Sequence, residues 1–167
     1  MADKNGDKRF GNKVLLLLDS QNNVLDEFSF YDANNSGTFF ASNTAYVLKG
    51  KITEPFQNIL IYVSDDDVSF KKLNCENWVA DIIVTDKYII YSTEFDNDTI
   101  RRITIETNEM ISYKGYYPNV DIYPSAISDV LGVFEYKNKW YKILEDEIIE
   151  TDESFFPDEK QRLTWFL

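Results

Sequence analysis

The chain contains no histidine, a single cysteine, six glycines and four prolines. Without histidine there is no Ser–His or Cys–His nucleophile pair, no imidazole base and no imidazole metal ligand. One cysteine, Cys75, cannot close an internal disulfide, which fits a reducing compartment. With Glu76 beside it and no imidazole to take its proton, Cys75 reads as a passive side chain. So few glycines and prolines exclude collagen-like and low-complexity organisation. Long hydrophobic runs are missing as well. The first apolar run, Val14 to Leu18, is five residues, too short for a signal core or a membrane span, and a cytoplasmic location is expected. No Gly-rich phosphate loop, Gly-x-Ser-x-Gly or zinc-ligand spacing occurs. No catalytic residue, cofactor or metal ligand is therefore assigned, and a non-enzyme is expected.

Positive charge is scarce too. Lys plus Arg number 17 against 29 Asp plus Glu, a formal net charge of −12. Such a chain is repelled by phosphate backbones and anionic membranes, so neither direct nucleic-acid binding nor membrane binding is expected, and a basic protein is the natural partner. The plainer reading is that the charge keeps the protein soluble.

What is abundant is aromatic: 12 Phe and 11 Tyr among 167 residues, with 44% hydrophobic residues overall. Aromatic and β-branched side chains pack well on a pleated surface, and this much apolar material rules out intrinsic disorder. Short apolar or alternating segments recur, cut by Asn/Asp-rich bends such as Asp19–Asn23, Asp32–Gly37 and Asp96–Asp98. About a dozen short strands result, with no βαβ pattern. Val14–Leu18 and Val24–Tyr31 read as a hairpin whose first strand is buried on both faces. Residues 50–58, with Pro55, read as loop, and Val68–Leu73 as a strand. Residues 1–12 read as a loose arm. Pro157-Asp158-Glu159 is a helix start, predicting a short helix over about 157–166 that docks on the sheet. The expected fold is a single all-β domain over 13–167, an antiparallel meander or sandwich with a short C-terminal helix.

Tyr88-Ile-Ile-Tyr-Ser-Thr-Glu-Phe95, followed by Asp96-Asn-Asp and Thr99-Ile-Arg-Arg-Ile-Thr-Ile105, resembles one blade of the propellers that carry a Tyr-Trp-Thr-Asp signature, with Ser92 and Glu94 standing in place of the Trp and the Asp. The resemblance covers about 30 residues, occurs once, and implies a propeller-like variant of the same all-β fold.

Two Asp-rich turns, Asp65–Asp67 and Asp96–Asp98, have oxygens for a hard cation but read as solvated hairpin ends. Asp3-Lys-Asn-Gly-Asp7 opens like a calcium loop, yet Lys8 and Val14 occupy its sixth and twelfth positions. Tyr113, Tyr116, Tyr117, Tyr123, Trp140 and Tyr141 are numerous enough to line a cleft, although aromatics at strand spacing are usually core. The stretch 145–159 holds eight acids and no Lys or Arg, interleaved with Ile148, Ile149, Phe155 and Phe156. From it Glu145, Asp146, Glu147, Asp152, Glu153, Phe155 and Phe156 are taken as a partner-binding surface, because a single-sign patch steers association and aromatics anchor it. A solvated edge strand is the competing reading. Together with the Asn, Lys, Ile and Tyr bias of AT-rich genomes, these features suggest a small inhibitor or immunity-type protein of bacterial or phage origin that occludes a partner's functional surface. A structural or homo-oligomeric phage protein, a small-molecule-binding β barrel or cleft, and an enzyme working through two carboxylates are the alternatives.

Overall fold

A computed structural model of the protein describes residues 11–32, 38–42, 45–53, 56–64, 66–75 and 79–152. These residues form fourteen strands and no helix, in four antiparallel sheets, none of which closes on itself. The first is a hairpin of β1 (Gly11–Leu18) and β2 (Val24–Asp32). The second is a meander of β3 (Thr38–Ala41), β4 (Ala45–Thr53), β5 (Phe56–Ser64) and β6 (Lys71–Cys75). The third runs through β7 (Val79–Val84), β8 (Tyr88–Thr93), β9 (Ile100–Thr104) and β10 (Met110–Tyr113). The fourth runs through β11 (Tyr123–Pro124), β12 (Gly132–Tyr136), β13 (Lys139–Ile143) and β14 (Ile148–Thr151).

The sheets stack in chain order. Leu15 and Phe28 of the hairpin pack on Ile61 and Phe70 of the second sheet. The opposite face of that sheet, with Val47, Leu60 and Tyr62, meets Ile82, Ile89, Tyr91 and Ile103 of the third. The third sheet turns Tyr88, Ile90, Ile100 and Tyr113 toward Phe134 and Ile143 of the fourth. Side chains alternate across a strand, so a sheet covered on both faces needs apolar residues at every position. β8 is covered in this way: all six of its residues are buried, the apolar Tyr88–Tyr91 in the two cores and Ser92 and Thr93 with their hydroxyls donating to the Val120 and Thr99 carbonyls.

Several expectations need correction. β1 is not buried on both faces: Leu15 and Leu17 are half-buried, while Val14, Leu16 and Leu18 are exposed. Among the described residues no second layer covers that face of the hairpin. The loop expected at 50–58 is mostly strand, because Gly50–Thr53 pair with Ile59–Phe56 and β4 and β5 extend to within two residues of each other. Residues 68–70 belong to a turn, and β6 starts at Lys71. β1 begins at Gly11, three residues before the expected start at Val14. The rest of the expected arm, residues 1–10, and the expected helix over 157–166 lie outside the described residues.

Each neighbouring pair of sheets is tied by polar bonds at one and the same end of the stack. The Phe70 amide donates to Asp26 (2.8 Å), joining the hairpin to the second sheet. The Lys71 ammonium donates to the Ile105 carbonyl (2.7 Å), joining the second to the third. The Arg102 guanidinium and the Tyr88 hydroxyl donate to the Glu145 carbonyl (2.9 Å) and carboxylate (2.5 Å), joining the third to the fourth. Strict up-and-down order then places the turns 19–23, 66–70, 85–87, 105–109, 125–131 and 144–147 at this end. Of the described connections, 94–99, 114–122 and 137–138 lie at the other.

Candidate functional site

The two ends differ in charge. The six turns at the bonded end carry ten acids: Asp19, Asp66, Asp67, Asp86, Glu106, Glu109, Asp129, Glu145, Asp146 and Glu147. Among their described residues Lys87 is the one cation. At the opposite end the three described connections carry Glu94, Asp96, Asp98 and Asp121 with Lys114 and Lys137, and Asp152 follows β14 there. Among the described turns and connections the negative charge therefore concentrates on a turn face to which all four sheets contribute. Val68, Ile127 and Met110 stand exposed among or beside these acids, supplying apolar surface within the charged rim.

Local chemistry explains the turns. Asp19 accepts hydrogen bonds from the Gln21 and Asn23 amides, both at 2.8 Å, and Asn22 takes a left-handed φ of 65° that Asn tolerates. Asp67 accepts from the amide and hydroxyl of Ser64 and pairs with Lys71 at 3.2 Å. Thr85 closes the β7–β8 turn, its hydroxyl accepting from the Tyr88 amide at 2.9 Å.

These contacts hold the turn face anionic. The side-chain bond from Asn23 lowers Asp19, and the Phe70 amide lowers Asp26. Burial pushes Asp67 up, but the Ser64 donors and Lys71 outweigh it and leave its carboxyl below the ordinary value. The Tyr88 hydroxyl and then the Lys87 charge, at 3.6 Å, do the same for Glu145. Behind Glu145, Arg102 is almost fully buried against the Tyr88 ring, with its guanidinium 3.8 Å from the Glu145 carboxylate. The Tyr113 hydroxyl donates to the Leu144 carbonyl (2.8 Å), and burial pushes its pKa up to about 12.

The residues expected to bind a partner are thus divided. Glu145, Asp146 and Glu147 share the β13–β14 turn on the acidic face, and Glu145 is also a structural tie between sheets. Asp152 follows the far end of β14, five residues from Glu147 and so roughly 17 Å away along the strand. Glu153, Phe155 and Phe156 lie outside the described residues. Sequence reasoning missed Asp66, Asp86, Glu106, Glu109 and Asp129, which stand at the same end as Glu145–Glu147 on other turns. The signal was present: in an up-and-down chain alternate turns share an end, and here the alternate turns are the acidic ones.

The Asp-rich turns are engaged internally. Asp67 is committed to Ser64 and Lys71, Asp96 pairs with Arg101 at 2.5 Å, and Asp98 accepts from the Gly115 amide. Among the described residues no group of three His, Cys, Asp or Glu stands close enough to hold a metal. The six aromatics considered for a cleft also divide. Tyr113 is buried, Tyr117 and Tyr141 pack with Phe134 and Tyr136 in an aromatic cluster with ring centroids 5.0–5.5 Å apart, and Tyr123 and Trp140 line a surface groove at the other end of the stack. Tyr116 is exposed. Set against protein-family models and curated proteins, the chain matches neither.

Proposed function

We propose that this is a non-catalytic binding protein of the inhibitor or immunity type, which covers the functional surface of a basic partner with its acidic turn face. The observation that carries the reading is the segregation of charge among the described residues: the turns at one end of the stack carry ten acids and Lys87, with Lys71 paired to Asp67 beside them, while the described connections at the other end and Asp152 carry five acids and two lysines. A field of one sign over an end face raises the encounter rate with an opposite charge and fixes orientation, and the exposed Val68, Met110 and Ile127 give the contact an apolar centre. A nucleic-acid-binding enzyme or toxin is the partner whose surface matches, since its phosphate-binding groove is basic. A cytoplasmic setting in a bacterium or phage-infected cell belongs to the same proposal. So does a propeller-like arrangement of the sheets, supported by four-stranded meanders that begin at Thr38, Val79 and Tyr123, close to the ~40–45-residue spacing of blades.

The test is affinity capture from host extract with the wild-type chain and two charge-reversed variants, followed by titration of the recovered protein. Asp86→Lys/Glu106→Lys/Asp146→Lys/Glu147→Lys removes the turn-face field, and Asp121→Lys/Asp152→Lys alters the opposite end. A basic partner lost by the first variant, kept by the second, and bound more weakly as salt rises supports the proposal. A partner that the turn-face variant retains at wild-type affinity sinks it.

A further inference from the structure

We infer that the groove at the end opposite the acidic face is a binding site for a neutral, hydroxyl-rich ring, that is, a saccharide. The groove has a volume of about 330 Å³ and opens between the 118–123 segment and the β12–β13 hairpin. That size falls at the lower end of the ~300–1,000 Å³ of small-ligand sites. Its floor is one face of the fourth sheet. Glu135 is the direct cross-strand partner of Trp140, and Tyr123 pairs with Val133, two residues from Glu135, so Tyr123, Glu135 and Trp140 share the face turned away from the third sheet. Asp121, Asn119 and Asn138 complete the polar lining.

Both walls are held in place. Ser92 and Thr99 are fully buried, and their hydroxyls serve the groove wall: Ser92 donates to the Val120 carbonyl (2.7 Å), and Thr99 accepts from the Tyr117 amide (2.7 Å). The Asp81 carboxylate accepts from the Ile122 amide at 2.7 Å. The hairpin wall is backed by the Tyr117, Phe134, Tyr136 and Tyr141 rings. Of the six non-glycine residues with positive φ among the described residues, three line this groove: Asn119 (55°), Lys137 (52°) and Asn138 (61°). At Lys137 and Asn138 this is the type I′ geometry of a two-residue hairpin link, which fixes the tip of the hairpin wall.

The lining chemistry selects the ligand class. Aromatic faces are electron-rich and attract the C–H faces of a sugar ring, while carboxylates accept from hydroxyls and amides both donate and accept. A purely apolar ligand would strip water from Asp121, Glu135, Asn119 and Asn138 without replacing it. An anionic ligand would meet the two carboxylates, with only Lys137 to offset them.

The experiment is calorimetric titration of the full chain with neutral saccharides: methyl glucoside, maltose, cellobiose, mannobiose and di-N-acetylchitobiose. At least one is expected to bind, with affinity falling tenfold or more in Trp140→Ala and severalfold in Glu135→Gln. The second variant changes no buried group and is checked for an unchanged melting temperature, so it decides the matter if the first fails to fold. Absence of heat with every saccharide, or binding that both variants leave unaltered, overturns the site. Binding of a nucleoside phosphate or a basic peptide there in place of the sugars overturns the ligand class. The site lies at the opposite end from the proposed partner surface, so either can fail without the other.

Discussion

Two uninterrupted runs of large hydrophobic residues, one of Val and Leu and one of Tyr and Ile, meet different fates in this molecule. Val14–Leu18 in β1 and Tyr88–Tyr91 in β8 both lack a polar break, and the first of them reads as a strand buried on two faces. β8 sits between two sheets, and every side chain in it is covered. β1 lies in the hairpin sheet, where one face packs on Ile61 and Phe70 and the other, with Val14, Leu16 and Leu18, is left exposed by the described residues. The difference teaches that a run of apolar residues states what a strand can bury; position in the stack decides what it does bury.

Substitutions can sharpen or break this contrast. The largest effect is expected from Ile90→Ala in β8, which opens a cavity in the twice-covered sheet and costs about 2–5 kcal/mol by chemical denaturation. A loss below about 1 kcal/mol would show that the third and fourth sheets do not share a packed interior. Ser92→Ala is next. It leaves the Val120 carbonyl and the Asp81 amide without their hydroxyl partner in the same buried layer, at a cost of about 1–3 kcal/mol, and it loosens the groove wall enough to weaken saccharide binding.

The tie between these sheets also responds to acid. Glu145 has a folded-state pKa below its ordinary 4.5, so its contribution is present above pH 4.5 and is lost as pH falls through the lower folded value. Melting temperatures across that window should fall more steeply for the wild type than for Glu145→Gln, and parallel curves would remove Glu145 from the acid response. The smallest effects belong to the end sheet. Leu15→Ala, on the covered face, should cost about 1 kcal/mol or more, whereas Leu16→Ala, its exposed neighbour, should stay within about 0.5 kcal/mol. Equal costs at the two positions would mean that something covers the outer face of the hairpin.

Much of the architecture was readable from local chemistry. The Asn/Asp bends, the β-branched runs and the alternation in Ile100–Ile105 located most strands, because turn propensity and pleat periodicity act over a few residues. The register of the β4–β5 hairpin was less legible. Pro55 marked a break but not its length, and only cross-strand pairing of Gly50 with Ile59 shows how far the strands run. The acidic surface was half legible. Glu145–Glu147 are neighbours in the chain, but Asp86, Glu106 and Asp129 reach them from other turns. Asp152, close in sequence, is carried away by a strand of four residues. The groove was less legible still, since Trp140 and Tyr123 look no different from the core aromatics Tyr117 and Tyr141 until the faces of the fourth sheet are assigned.

The sequence by itself determined an acidic, histidine-free, all-antiparallel chain of short strands, because composition and two-residue periodicity are properties of the chain alone. Only the tertiary structure decided which faces are covered, which turns share an end and which acids are spent on holding sheets together. Those depend on how sheets stack and on bonds such as Asp26 with Phe70 and Arg102 with Glu145, whose partners stand more than forty residues apart.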